Sequence, residues 1–152
     1  MEVNNCRLPD DLLYHVEYNV WIRREDDGTV YLGMTDIAQT LAGSIIHCRP
    51  KKIGKTVKQG KSVATVESGK WVGPVKSPLT GEILERTEAA EADATVLNRS
   101  PYKQGWIVRI APVDYDGESE SLTSGVTAFD GFAAYMVEKE LTECIHCEGF
   151  EE

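Results

Sequence analysis

The sequence lacks the features that mark membrane-spanning and nucleic-acid-binding proteins. No apolar run among its 152 residues approaches the roughly 18 residues that a membrane helix needs. Basic residues are scarce, since 16 Lys and Arg stand against 25 Asp and Glu, and a net charge of -9 argues against general binding to nucleic-acid phosphates. Residues 1–13 have no basic segment followed by an apolar one, so we expect no signal peptide and a cytoplasmic location.

Cysteine is also rare, with four in the chain. In a reducing cytoplasm we expect these thiols to be free, redox-active or metal-bound rather than joined in structural disulfides. Cys144 and Cys147 have the Cys-x-x-Cys spacing of a redox pair or of half a zinc site, which His47 and Cys48 could complete. A passive tail is the third interpretation, and we assign no metal ligand. Cys6 and Cys48 are expected to be buried small apolar residues.

Short β-favouring segments alternate with turns through most of the chain. Residues 20–24 and 29–32 flank an Asp-Gly turn, which predicts a hairpin. Residues 62–67 alternate strictly, which predicts a strand with Val63, Thr65 and Glu67 on one face. Further extended segments are predicted at residues 44–49, 72–78, 82–86 and 105–110. The pattern predicts a mainly β body with a sandwich or barrel-like core.

Two helices interrupt this β pattern. Residues 35–42 form a short inserted helix that Thr35 caps and Gly43 ends. Residues 88–95 are predicted to form one helical turn, and residues 114–124 a polar linker. Residues 127–141 form a C-terminal helix, whose apolar stripe comprises Phe129, Phe132, Ala133, Met136 and Val137.

Lys70 has an unusual setting for a lysine. It follows Glu-Ser-Gly in a turn between two extended segments, so we expect it at the tip of a β-hairpin. A lysine there projects its amine away from the body on a flexible four-carbon stem. This geometry suits a modifying enzyme and allows an attached group to sweep between sites.

Four segments carry a resemblance to a known family. Residues 64–70 resemble its A-x-x-E-S-x-K motif, and residues 27–39 resemble its D-G-T-V and T-D-x-A-Q motifs. Residues 77–83 and 98–106 resemble S-P-x-S-G-E and N-x-x-P-Y-x-x-G-W. The chain thus resembles the glycine-cleavage H proteins and their H-like relatives, within the lipoyl and biotinyl domains, over residues 13–112.

The resemblance implies a lipoyl/biotinyl-type barrel-sandwich hybrid in a single domain, residues 1–152. Residues 13–112 would form its core and residues 113–152 a linker, the C-terminal helix and a cysteine-containing tail. It implies lipoate in amide linkage on Lys70, with Glu67, Gly54 and Gly81 recognised by a lipoate ligase or lipoyl transferase. The implied function is a swinging-arm carrier without catalytic residues, reoxidised by dihydrolipoamide dehydrogenase.

Two departures from the family pattern bear on the partner enzymes. The family's E-S-V-K-A-A-S-D becomes E-S-G-K-W-V-G-P at residues 67–74, and its acidic V-E-L-P-E loop becomes C-R-P-K-K at residues 48–52. A reversed charge beside the arm should repel the original partner. The resemblance therefore favours the branch that serves heterodisulfide-reductase-like complexes in cytoplasmic sulfur oxidation. The alternatives are glycine cleavage, with an aminomethyl group on the arm, and an unmodified H-like binding or metal module.

Overall fold

The structure, a computed structural model, describes residues 1–151. Its strands are β1 Glu2–Val3, β2 Cys6–Arg7, β3 Leu13–His15, β4 Val20–Arg24, β5 Val30–Met34, β6 Ile45–Pro50, β7 Thr56–Val57, β8 Ser62–Ser68, β9 Val72–Lys76, β10 Gly81–Arg86 and β11 Trp106–Pro112. Its helices are α1 Asp36–Ala42, α2 Glu88–Ala92, α3 Val96–Arg99, α4 Tyr115–Glu118 and α5 Gly125–Glu138, with a 3₁₀ turn at Ser119–Ser121. Within the described residues, no helix is long and apolar enough to cross a membrane.

Two antiparallel sheets form the body. One has six strands in the order β3-β4-β5-β11-β10-β7, and the other has three in the order β6-β8-β9. Leu32 and Ile83 from the first sheet share one buried core with Val66 and Val75 from the second. The prediction of a mainly β sandwich with a short inserted helix and a C-terminal helix is confirmed.

The inserted helix begins and ends as its sequence predicts. The Thr35 hydroxyl accepts a hydrogen bond from the backbone N–H of Ala38, which satisfies one of the free donors of the first turn. Gly43 follows the last residue with a φ of 80°, a conformation that glycine adopts without strain. The backbone N–H of Gly43 donates to the carbonyl of Gln39 and closes the helix.

The strict alternation predicted for β8 is wrong at one position. Val63 and Ala64 are both buried, although they are consecutive. The pairing of β8 with β9 shifts between Ser62 and Ala64, so the strand contains a bulge there. The extra residue turns Val63 inward, while Thr65 stays exposed.

The C-terminal region differs from its prediction in two places. The predicted polar linker contains α4 and the 3₁₀ turn, because the Asp114 carboxylate accepts from the Gly117 N–H and nucleates a helical turn. The apolar stripe of α5 is only partly correct. Phe132 and Met136 are buried against the N-terminal segment, whereas Val137 is 80% exposed and lies off the packed face.

The expectation that the cysteines are free, redox-active or metal-bound rather than joined in a structural disulfide is wrong for Cys6 and Cys144. Cys6 and Cys144 form a disulfide that joins β2 to the segment after α5. The Cys-x-x-Cys spacing could not indicate this disulfide. Its two cysteines lie near opposite ends of the chain and meet only because the fold brings those ends together. Cys48 and Cys147 are the free cysteines, the first buried as expected and the second exposed.

Candidate functional site

The site is centred on the hairpin tip, residues 68–71, between β8 and β9. The backbone N–H of Ser68 donates to the carbonyl of Trp71 at 2.7 Å, and the Ser68 hydroxyl accepts from the backbone N–H of Lys70 at 3.3 Å. These bonds hold the tip in one conformation. Lys70 is exposed there, in the position that the sequence predicts.

The side chain of Lys70 extends over Gly43, at the end of α1. A β-carbon added at Gly43 would lie 2.9 Å from the Lys70 Cε, so a larger residue would push the lysine aside. The sequence indicated only that Gly43 ends the helix. Its contact with Lys70 joins elements that are far apart in the chain, and no local pattern indicates it.

Asn98 forms hydrogen bonds that hold together the backbone segments around Lys70. Its side-chain oxygen accepts from the backbone N–H of Ile45 at 2.9 Å. Its amide nitrogen donates to the carbonyl of Gly43 at 2.9 Å and to the side chain of Gln39 at 3.0 Å. One buried side chain therefore connects α1, β6 and α3 behind Lys70. The motif N-x-x-P-Y indicated this residue without indicating its role.

Two cavities flank the hairpin tip. One, of about 290 Å³, is lined largely by apolar side chains that include Met34, Leu41, Trp71 and Tyr135. The other, the tail cavity, measures about 520 Å³ and is lined by Lys70, Gly43, Asn98, Arg99 and residues 145–148. A chain attached to Lys70 has space on both sides, one apolar and one polar.

Glu67 lies beside the tip on the three-stranded sheet. It pairs with His47 of β6 on one side and Val72 of β9 on the other, and it is partly exposed. Glu67 thus belongs to the last residue pair of β8 and β9 before the tip.

The two predicted recognition glycines lie elsewhere, along the β7–β10 edge of the six-stranded sheet. Gly54 has a φ of 90°, and its N–H donates to the carbonyl of Ile83 in β10 at 2.8 Å. Gly81 pairs with Val57 inside β10, so it does not shape a turn. A β-carbon on Gly81 would lie 2.7 Å from the backbone oxygen of Ala111. Gly81 is required for close strand packing.

Replacement of Gly81 by alanine should destabilise the protein. We expect Gly81→Ala to lower the free energy of unfolding by about 1–3 kcal/mol, because the backbone of β11 must move to admit the methyl group. Urea unfolding measures this change. Gly69→Ala is the control, since nothing lies within 4 Å of its β-carbon position. Equal urea midpoints for the two variants would contradict the packing role of Gly81.

The cysteines do not form the zinc site that was one open interpretation of the Cys-x-x-Cys spacing. Cys144 is bonded to Cys6, and Cys48 faces the core, where burial and, secondarily, the charge of Glu91 raise the pKa of its thiol to about 12. Among residues 1–151, no three His, Cys, Asp or Glu side chains are grouped so that they could hold a metal ion. Cys147 stays exposed in the tail cavity.

A model of the family described as "Glycine cleavage H-protein" matches residues 12–131. The chain belongs to this family. It is 41% identical over 143 residues to "Glycine cleavage system H protein 2" of Aquifex aeolicus, covering 94% of this chain and 88% of the relative. It is 40% identical over 141 residues to "Probable glycine cleavage system H protein 2" of Saccharolobus solfataricus, covering 91% and 95%.

A solved H-protein structure has the same fold. The crystal structure of a glycine cleavage system H protein from Mycobacterium marinum superposes with a TM-score of 0.72 at 27% identity, covering 88% of this chain and all of that one. Members of the H-protein family are non-catalytic carriers, typically lipoylated on a lysine. Their partners include the lipoyl ligase and the glycine cleavage enzymes. This chain is an H-protein-like lipoyl carrier.

Proposed function

We propose that Lys70 carries the lipoyl group. The observation that supports this most strongly is the exposed Lys70 at a hairpin tip fixed by two hydrogen bonds, with a cavity on either side. Bound lipoate would supply a dithiolane that accepts a fragment or sulfur and returns by thiol–disulfide exchange. The residues of the chain present that group and do not act as acid or base.

The structure around the tip suits a carrier. The hairpin fixes the Cα of Lys70, while the lysine stem stays flexible, so the attached group is confined to a small volume around each docked partner. Confinement raises its effective concentration at a partner's active site without new contacts. A rigid tip with a mobile arm is therefore the arrangement that we expect of a shuttle.

We further propose that the ligase or transferase recognises Glu67, with Gly54 and Gly81 holding the sheets in the required shape. Glu67 lies one strand position before the tip and is partly exposed, so it can contact the enzyme directly. The two glycines do not lie at the tip, so we propose that they affect lipoylation indirectly, by holding the β7–β10 edge of the sheet in shape.

Loss of the Glu67 charge should slow lipoylation. We expect Glu67→Gln to reduce the initial rate with purified lipoate ligase by about tenfold, the effect of losing about 1.4 kcal/mol of charge complementarity. Glu82→Gln on the exposed face of β10 is the matched control and should react at the wild-type rate. Identical rates for the wild-type protein and both variants would show that the ligase does not recognise Glu67.

For the pathway, we propose that the lipoyl arm of this protein exchanges its cargo with a heterodisulfide-reductase-like complex in cytoplasmic sulfur oxidation. The three-stranded sheet that carries the tip has basic side chains toward its far end, where Arg49 lies opposite Thr65, and an apolar one beside the tip. Arg49 is exposed on β6, Lys52 is exposed just after it, and Val72 is 64% exposed next to the arm. An acidic, partly apolar docking surface fits this face, whereas a partner built for an acidic loop does not.

Glycine cleavage is the second candidate, and the names of the relatives favour it. In Aquifex aeolicus, however, the similar proteins are H proteins numbered 2, 3 and 5, which indicates several H proteins in one organism. One pathway does not need several carriers. In either pathway we propose that dihydrolipoamide dehydrogenase reoxidises the arm.

The two pathways can be separated with purified enzymes. The lipoylated protein is offered to a heterodisulfide-reductase-like complex and, separately, to the glycine decarboxylase of a glycine cleavage system. We expect saturable reaction of the arm with the first and no aminomethyl loading with the second. The opposite result would assign the chain to glycine cleavage.

A further inference from the structure

The tail, residues 139–151, is fastened across the surface next to Lys70. The contacts that hold it there include the Cys6–Cys144 disulfide, the hydrogen bonds of the Ile145 backbone with the side chains of Thr40 and Gln39, and the pair of His146 Nε2 with Asp36 Oδ2 at 2.7 Å. The far end of the tail is held separately, since the backbone N–H of Glu151 donates to the carbonyl of Arg99 at 2.6 Å. Ile145 and His146 thereby form part of the wall of the tail cavity. The tail covers one side of the space into which Lys70 extends.

Cys147 is the thiol that this arrangement leaves unpaired. It is exposed, it lines the tail cavity, and it lies three residues after Cys144 in Cys-x-x-Cys spacing. Cysteines at this spacing can form a disulfide with each other. Cys144 therefore has two mutually exclusive partners, Cys6 at long range and Cys147 nearby.

We propose that Cys6, Cys144 and Cys147 form a thiol–disulfide exchange site that governs access to the cavity beside Lys70. The thiolate of Cys147 attacks the Sγ of Cys144, a Cys144–Cys147 bond forms and the Cys6–Cys144 bond breaks. The proton lost by Cys147 is taken up by Cys6. One disulfide and one thiol are present before and after, so the exchange needs no oxidant or reductant.

Backbone geometry couples this exchange to displacement of residues 145–146 from the wall of the tail cavity. A disulfide needs its two Cα atoms within about 4.4–6.8 Å, and at Cys-x-x-Cys spacing this requires a turn. Residues 144–147 contain neither turn nor helix in the structure. To form the new bond, the segment must bend, and bending removes Ile145 from Thr40 and His146 from Asp36. The cavity then loses part of its wall.

Both partners of Cys144 suit the exchange. Cys6 is fully buried, with its sulfur 3.9 Å from that of Met136, and a neutral thiol packs there as a small apolar group. Cys147 is tethered three residues from its target, so its effective concentration is high. Once formed, the Cys144–Cys147 disulfide lies on an exposed segment, where a dithiol could reduce it and itself be oxidised to a disulfide.

The exchange does not depend on modification of Lys70, so it is tested on the full unlipoylated chain. The oxidised protein is incubated anaerobically at neutral pH, quenched in acid, alkylated, and mapped by peptide mass spectrometry without reduction. We expect a measurable fraction of molecules with a Cys144–Cys147 bond and alkylated Cys6. This fraction must vanish in Cys147→Ser. Full alkylation of Cys147 with no alkylation of Cys6 would overturn the proposal.

Amide hydrogen exchange tests the coupling. Cys6→Ala is treated with oxidised glutathione, which takes up the two electrons and two protons and leaves as two molecules of glutathione when the Cys144–Cys147 bond forms. We then expect the Ile145 amide to exchange about tenfold faster than in Cys147→Ser, since its bond to Thr40 is lost. A Cys144–Cys147 bond with unchanged Ile145 protection would overturn the link to cavity opening. If Cys6→Ala does not fold, the same comparison is made between the two disulfide isomers separated from the wild-type protein.

Discussion

Lys70→Arg is expected to abolish lipoylation and carrier activity while leaving the fold unchanged. Arginine keeps the positive charge and a long stem, but its guanidinium does not form the lipoyl amide. Lys70 is exposed, so we expect the free energy of unfolding to change by less than about 0.5 kcal/mol. Intact-mass measurement after incubation with ligase and lipoate shows the modification directly.

Lys76→Arg is the matched control, because Lys76 is exposed on the same hairpin, in β9. It should gain one lipoyl group, as the wild-type protein does. A lipoyl group on the Lys70→Arg variant would place the attachment at another lysine. Full pathway activity of the unmodified variant would favour the alternative of an H-like binding module, and a Cys144→Ser, Cys147→Ser double substitution should then abolish that activity.

The second large effect is expected at the disulfide. Cys6→Ala should lower the free energy of unfolding of the oxidised protein by about 3–5 kcal/mol, because the bond closes a very long loop in the unfolded chain. The two cysteines are 138 residues apart in the sequence. The tail and β2 then lose their covalent connection. Urea unfolding of the oxidised proteins measures the difference.

Cys147→Ser serves as the control for this prediction, since its thiol is exposed and unpaired. It should unfold at the wild-type urea midpoint. Reduction of the wild-type protein should lower its stability to that of Cys6→Ala. If wild-type, reduced and Cys6→Ala proteins all unfold at the same urea concentration, the disulfide does not contribute to the stability of the fold.

Local sequence signals were sufficient to predict much of the fold and the position of Lys70. Thr35 and Gly43 mark the ends of α1 because capping depends on a few neighbouring residues. Lys70 could be placed at a tip because turn residues separate two extended segments. These features are encoded within short stretches, so a single sequence reveals them.

Features that depend on distant contacts could not be predicted in the same way. The bulge at Val63 arises from the register between β8 and β9, which residue alternation does not specify. The Cys6–Cys144 disulfide joins parts of the chain that are far apart in the sequence, and so do the hydrogen bonds of the Asn98 side chain. Gly81 is needed where β10 approaches β11 closely, and no local pattern indicates that approach. In each case the partner is set by topology.

The measurement that tests the central claim most directly is the intact mass of the protein purified from its native host, with fragmentation across residues 66–76. We expect the mass of one lipoyl group, located on Lys70. An unmodified Lys70, in a host whose other carrier proteins are lipoylated, would contradict the account.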